Sequence, residues 1–536
     1  MQYQNPILPG FYPDPSVCRA GEDYYLVTSS FEYFPGVPIF HSRNLINWRQ
    51  IGHCLTRKSQ LNLDSAKSSG GIYAPTIRQH EGKFYVVTTD TTGIGNFFVW
   101  AEDPAGPWSE PIPLKQGGID PSLFFDGSGR VYLSSNCLFG GRRGLQQSEI
   151  DISTGTLLSA PRFIWAGTGG KYPEAPHLYL KDGWFFLLAA EGGTEFGHMI
   201  TVARSRDPFG PFEACPYNPI LSHRSTSHSI QSTGHGDIFQ DHLGDWWMFF
   251  LGVRHNSYPL VHHLGRETYL APITWSADGW PVVNGGCAVE LEITVASSLS
   301  IEVQLHPPVR TDFEQDSLEL YWNFRRNPVP ESWTLRERPG WLGLRCLPAS
   351  LDDVAPLSFI GRRQQHFSCT ASALIEFSPS GEHEEAGLTV LMNEAYRCDV
   401  FVSERNGKKS VSLRRRIGSV TVDIASQAVC EGAVILWIKA GRDWYTLGYT
   451  EEGAGGRDTA PVTLGRAETR HLSTEIAGGF TGVYFGLYAT SSGQASQVAA
   501  WFDWFEYAPS QLTGDDPIVL QPVTAKPRDD AAIVAS

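Results

Sequence analysis

The chain is predicted to be all-β: a five-bladed β-propeller followed by a β-sandwich. Three observations predict this. A layout of short strands recurs five times between residues 10 and 250; Gly (54) and Pro (35) punctuate the chain while aromatic residues reach 12%; and uninterrupted amphipathic helical windows are scarce. At 536 residues the chain exceeds one typical domain, so two domains and a large core are expected.

The five units open on Asp14-Pro15-Ser16-Val17, Ala74-Pro75-Thr76-Ile77, Asp120-Pro121-Ser122-Leu123, Ala175-Pro176-His177-Leu178 and Gly236-Asp237-Ile238. About ten residues further on, each has an aromatic or apolar strand: Tyr24-Tyr25-Leu26-Val27, Phe84-Tyr85-Val86-Val87, Val131-Tyr132-Leu133, Trp184-Phe185-Phe186-Leu187 and Trp246-Trp247-Met248-Phe249. Turns such as Glu81-Gly82-Lys83 and Lys181-Asp182-Gly183 join the two strands, as hairpins require. A second hairpin completes each unit, marked by stretches such as Asp103-Pro104-Ala105-Gly106-Pro107-Trp108 and Asp207-Pro208-Phe209-Gly210-Pro211-Phe212. Four strands per unit, at a spacing of roughly 45 to 60 residues, describe propeller blades, and the five units span residues 1–295.

Beyond Ala296 the pattern changes. Residues 296–308, with Pro307-Pro308, read as a linker, and 309–508 as a two-sheet sandwich. Thr311-Asp312-Phe313 and Trp322-Asn323-Phe324 open a new series of alternating strands, with others at Gly432 to Ala440, Tyr445 to Thr450 and Thr481 to Ala489. Residues 509–536 lack a packing pattern and read as a disordered tail.

A net charge of -15 and a pI near 5.5 argue against nucleic acid or an anionic membrane surface as partner and favour a neutral ligand. No stretch is long enough to span a bilayer. The segment before Pro9 carries neither a basic run nor an apolar run, and the nine cysteines are odd in number and lack a Cys-x-x-Cys pair. Both features suit a cytoplasmic protein with reduced thiols.

The stretch Lys171-Tyr172-Pro173-Glu174-Ala175-Pro176-His177-Leu178-Tyr179 hems one carboxyl group in with prolines and aromatic rings. Burial there disfavours ionisation, so Glu174 suits a proton donor. Pro-Glu-Ala-Pro is also an ordinary turn sequence, and Asp-Pro an ordinary way to start a strand. In a propeller, however, the first strand of each blade lines the central channel. Asp14, Asp120 and Glu174 then converge from the first, third and fourth units, Glu174 standing one residue before its Ala-Pro step. Hydrolysis of a glycosidic bond needs one carboxylic acid to protonate the leaving oxygen and one carboxylate to handle water or the anomeric carbon. Three converging acids supply both, and the third can orient the acid or hold its proton.

Phe11-Tyr12-Pro13-Asp14-Pro15-Ser16, Gly118-Ile119-Asp120-Pro121-Ser122, Tyr172-Pro173-Glu174-Ala175-Pro176 and His262-His263-Leu264-Gly265-Arg266-Glu267-Thr268 together resemble glycoside hydrolase family 43, in particular its β-xylosidases with a C-terminal sandwich of jelly-roll, concanavalin-like type. The resemblance runs from Asn5 to Tyr507. It implies Asp14 as general base, Asp120 as modulator of pKa and orientation, and Glu174 as general acid. It also implies Phe31 packing against the innermost sugar, Arg266 hydrogen-bonding sugar hydroxyls, and His235 on the axis below the site. In some relatives that His binds water or a divalent cation. No cofactor is required by this reading, a lasting metal site is not expected, and calcium near His235 is the one candidate. Many relatives carry Trp where this chain has Tyr73, which leaves the choice between xylose and arabinose open. Gly478-Gly479-Phe480-Thr481-Gly482 looks like the family's loop over the pocket mouth, which makes Phe480 a pocket residue.

The implied activity is exo-acting, inverting release of xylose from the non-reducing ends of β-1,4-xylo-oligosaccharides, by a protein that could assemble as a homo-oligomer. The alternatives are an α-L-arabinofuranosidase, as main or second activity, and a carbohydrate-binding propeller without catalysis. Arg206-Asp207-Pro208, which looks like the Arg-Asp-Pro of fructan-cleaving propellers, reads here as a turn in an outer hairpin.

Overall fold

The five inner strands are Ser16–Ala20, Thr76–His80, Ser122–Phe125, Glu174–Lys181 and Ile230–Gln240, each heading its own antiparallel sheet. The computed structural model describes residues 2–256, 258–297, 299, 309–453, 457–458 and 460–510. Each inner strand pairs with the apolar strand after it, for example Ser16 with Val27, Thr76 with Val87 and Ser122 with Ser134. Those second strands, such as Lys83–Asp90 and Trp246–Arg254, are buried along nearly their whole length. Both of their faces are covered by neighbouring sheets, which explains their continuous apolar runs. The inner strands touch in cyclic order, first to second and onward until the fifth meets the first, so all five surround one axis.

Four sheets have four strands, and the third adds Arg162–Trp165. In the fifth unit the inner strand begins at Ile230, six residues before the Gly236 mark. Two register shifts, between Gln231 and Gly234 and between Gly234 and Asp237, carry the extra length. The ring is clasped at its ends: Gln2–Gln4 pairs with Glu292–Thr294, and the Asn5 side chain bonds both the N–H and the carbonyl of Leu270.

Side chains tie the inner strands together across the axis. Asp237 accepts hydrogen bonds from Arg78 (2.9 Å), Ser16 (2.7 Å) and Tyr179 (2.6 Å), while His177 Nδ1 lies 3.1 Å from both Arg78 and Ser122. Four of the five strands thus meet at the Asp237 carboxylate itself, and the third joins through His177.

The C-terminal region is built on two sheets. In one, Ala499–Pro509 lies between Leu342–Arg345 and Cys369–Glu376; in the other, Tyr484–Thr490 lies between Phe359–Arg363 and Glu385–Asn393. The strands expected near 432, 445 and 481 run at Val434–Ala440, Trp444–Gly453 and Tyr484–Thr490. One expectation is corrected. The Trp322-Asn323-Phe324 stretch does not join the two main sheets by a strand; Phe324–Arg325 pairs with Tyr33–Phe34 of the ring. Arg325 and Arg326 are fully buried there, Arg325 bonding Ser68 and Glu394, and Arg326 the Ala66 carbonyl. Those partners, not the apolar alternation, decide where the segment goes. Of the expected linker, residues 298 and 300–308 lie outside the described residues, as does the expected tail from 511. Pro509 still belongs to the last strand.

An aromatic cluster fills the seam between ring and sandwich. Tyr33 of the ring stacks on Tyr484 of the sandwich with centroids 3.9 Å apart, and Phe11 and Phe31 pack beside them. No helix among the described residues is long and apolar enough to cross a membrane.

Candidate active site

At the start of three inner strands the backbone turns into the left-handed region just before a proline. Asp14 (φ 56°), Asp120 (φ 55°) and Ala175 (φ 49°) all do so, and His235 (φ 46°) holds the matching place in the fifth sheet without a following proline. Such conformations cost a non-glycine residue on the order of 1–3 kcal/mol each and are kept where the surroundings over-determine them. Glu174 precedes the turn residue of its sheet and is the first residue of its strand, opposite Ala190, with a register shift before His177.

All eight residues singled out from the sequence line one cavity of about 70 Å³. Asp14, Asp120, Glu174 and His235 form its base, Arg266 one wall, and Phe31, Tyr73 and Phe480 the aromatic side. Sequence reading did not find Ala74, Ile119 or Thr194, which also line it. The aromatic rings brace one another: Phe31 lies 5.2 Å from Tyr73 and 6.1 Å from Phe480. Phe480 comes from the sandwich. Its N–H donates to nowhere in its own sheets but to Ser69 Oγ (2.8 Å), and its carbonyl accepts from Arg266 Nη2 (3.3 Å). Gly479 (φ 88°) permits this approach, since a Cβ there would sit 2.5 Å from Ser69 Oγ.

The carboxyl groups are held in opposite states. Burial works to raise the Asp14 pKa, but Arg266, then His235 and Ser29, outweigh it and hold the group below the ordinary aspartate value. Arg266 donates to both Asp14 oxygens, at 2.9 and 3.4 Å, Ser29 donates to Oδ2, and His235 Nδ1 stands 3.6 Å from Oδ1. Glu174 goes the other way. Burial, then the charges of Asp120 and Asp14, push its pKa well above the usual glutamate value, with Arg266 opposing weakly. Asp120 is also raised, mainly by burial and in part by Asp14, although it accepts the Ala175 N–H at 3.1 Å and feels His235. These surroundings favour the carboxylate at Asp14 and the protonated acid at Glu174.

Arg266 is committed more fully than expected. Besides Asp14 and the Phe480 carbonyl, its Nη1 donates to Thr194 Oγ1 (3.2 Å), and its buried Nε has no partner among the described residues. Beneath the site, His198 packs flat against Gly234, where a Cβ would lie 2.2 Å from the ring. Burial lowers the pKa of His198 to about 3, so it is a neutral prop. The calcium candidate near His235 does not fit the residues present. Calcium takes about six to eight oxygen ligands, whereas His235 offers nitrogen and both Asp14 oxygens already accept hydrogen bonds.

A buried acid and a buried carboxylate facing one small cavity are the equipment of a glycoside hydrolase. Comparison with known proteins identifies which kind. Residues 3–281 match the model for glycosyl hydrolases family 43, and residues 310–508 that for the beta xylosidase C-terminal concanavalin A-like domain. The chain belongs to glycoside hydrolase family 43, and its ring of sheets is that family's β-propeller.

The chain is 42% identical over 513 residues to the non-reducing end alpha-L-arabinofuranosidase BoGH43B of Bacteroides ovatus, covering 94% of each chain. It is 37% identical to a xylosidase/arabinosidase of Butyrivibrio fibrisolvens, covering 94% of this chain and 98% of the other. Among solved structures, the Bacteroides ovatus xyloglucan PUL GH43B superposes with a TM-score of 0.90 at 41% identity, covering 95% of this chain and 100% of that one.

Proposed function

We propose that the five sheets are the blades of a five-bladed propeller carrying an exo-acting, inverting glycosidase, which releases xylose from the non-reducing ends of β-1,4-xylo-oligosaccharides. The opposite protonation of Glu174 and Asp14 within one cavity carries this reading. Glu174 gives its proton to the glycosidic oxygen as the bond to the anomeric carbon breaks. Asp14 takes a proton from the water that attacks the opposite face of the sugar, and Asp120 keeps Glu174 protonated through its negative charge. The reaction consumes water and needs no cofactor.

The shape of the pocket supports terminal attack. The cavity is small, about 70 Å³, and Phe480 of the sandwich lines it together with the three acids, which suits a terminal sugar better than a chain running through. Phe31 and Tyr73 supply faces for the sugar ring, and Arg266, which lines the same cavity, is the candidate donor to a sugar hydroxyl.

A second reading, α-L-arabinofuranosidase as main or second activity, is favoured by the name of the 42%-identical relative and by Tyr73, whose hydroxyl and smaller face suit a different ring. Release of nitrophenol from the β-D-xyloside and the α-L-arabinofuranoside, together with hydrolysis of xylobiose, separates the two. Proton NMR early in xylobiose hydrolysis should show α-xylose first. Initial β-xylose would make Asp14 a nucleophile and refute its role as base.

A further inference from the structure

Away from the catalytic cavity, two histidines of the propeller and one glutamate of the sandwich converge. His255 follows the strand Trp246–Arg254, His262 lies in the loop that leads to Arg266, and Glu475 sits in the short helix Thr474–Ala477. One nitrogen from each imidazole and one carboxylate oxygen lie within 4.8 Å of one another, and this is the only such cluster of three His, Cys, Asp or Glu among the described residues. His262 Nδ1 is 2.7 Å from Glu475 Oε1, and His255 Nε2 is 3.9 Å from the same oxygen.

His255 is the informative member. Its side chain is only 5% exposed, yet neither ring nitrogen has a hydrogen-bond partner among the described residues. A buried imidazole carries one donor and one lone pair, and both call for a partner. Phe196 stacks on the ring with centroids 5.2 Å apart and supplies none. The His262 ring is inclined at 68° to that of His255, so the two do not stack and their edges can turn to a common point.

We propose that His255, His262 and Glu475 bind a divalent transition ion of the zinc class. Two imidazoles and one carboxylate suit such an ion, whereas calcium and magnesium take oxygen ligands. Bonds of about 2.0–2.2 Å in a tetrahedron place ligand atoms roughly 3.3 Å apart. The two separations of 2.7 and 3.9 Å straddle that value, so small side-chain rotations suffice. Glu475 is 27% exposed on its side chain, which leaves the fourth position to water.

The ion would fasten the sandwich to the propeller five residues before Phe480. Glu475 already accepts the His262 N–H at 3.0 Å, and the Thr474 N–H donates to the His262 carbonyl. A third arm from His255 would steady the helix from which the pocket roof extends.

The test uses the full chain, stripped with a chelator and titrated with zinc chloride by calorimetry and with cobalt chloride by visible absorption. One ion per chain is expected at micromolar affinity or tighter, with the d–d bands of four-coordinate cobalt and a rise in melting temperature. His255→Gln and Glu475→Gln should each weaken binding by roughly 100-fold or more and abolish the cobalt bands. His228→Gln, at the surface pair His228–Glu290, should leave binding unchanged. Should His255→Gln prove poorly folded, Glu475→Gln on the exposed side decides alone. The proposal is overturned if the wild-type chain takes up no ion at millimolar zinc, or if the folded variants bind as tightly as wild type.

Discussion

Replacing Arg266 with Gln should move the acid limb of the pH–rate profile upward. The guanidinium meets both Asp14 oxygens, at 2.9 and 3.4 Å, with both side chains buried. Unit charges about 4 Å apart attract by about 4 kcal/mol at an effective dielectric constant of about 20. A tenfold change in protonation corresponds to about 1.4 kcal/mol, which caps the effect near 3 pH units. Water entering the vacated space screens the remaining groups, so a rise of about 1 to 3 pH units is expected. As the proposed base, Asp14 would act only when ionised. In the wild type its carboxyl ionises below the ordinary aspartate value, so kcat/KM holds into the acid range; without Arg266 the carboxyl protonates at higher pH and activity is lost sooner on acidification. Arg266 also opposes protonation of Glu174, so the alkaline limb should move up too, by less. The assay is kcat/KM for an aryl glycoside across the full profile. A variant slowed equally at every pH, with both limbs in place, would show that Arg266 positions the sugar or the Phe480 loop without setting the charge on Asp14.

Three further variants probe the same site and its axis. Glu174→Ala should lose hydrolysis of xylobiose by about 10² to 10⁴-fold while keeping a much larger share on a dinitrophenyl glycoside, whose leaving group needs little protonation. Asp14→Ala should lose both substrates, because water must be activated whatever leaves; equal losses on both substrates in Glu174→Ala would remove Glu174 as the acid. Arg78→Met should destabilise the fold by about 3–5 kcal/mol in urea, since it leaves Asp237 buried and charged without its cation. Against the opposing effect of burial, Arg78 holds Asp237 far below the ordinary aspartate value. Its stabilisation is therefore present above the unfolded pKa of about 4 and fades as pH falls below it, and Arg78→Met should show a flatter acid dependence of stability.

The residues at the axis were readable because each is marked in the chain. A proline after Asp14, Asp120 and Ala175 labels a strand start, and repetition turns three local labels into one place. Even the one-residue offset of Glu174 could be read, although its cause, the left-handed turn at Ala175, could not. Thr194, Ser29 and His198 carry no such mark. They lie in segments without a repeat and matter only through what folding sets beside them: Arg266, Asp14 and the bare backbone of Gly234. The misplaced Trp322-Asn323-Phe324 stretch fails for a related reason. Alternation announces a strand and not its partner, and the partner here, Tyr33–Phe34, is selected by buried arginines whose counter-groups lie far away in sequence.

The clasp between the first and last strands of the ring also sets a clock. Gln2 and Glu292, which bond across it, are 290 residues apart, and Arg266 must wait for a carbonyl 214 residues downstream. At ribosomal speeds of about 5–20 residues per second, the ring cannot close until roughly 15 s to 1 min after its first strand emerges, and the roof follows about 10 to 40 s later. A nascent chain thus carries Asp14 and Glu174 for some time before any pocket exists to set their charges. The cavity around those acids is complete only once Phe480 has been made.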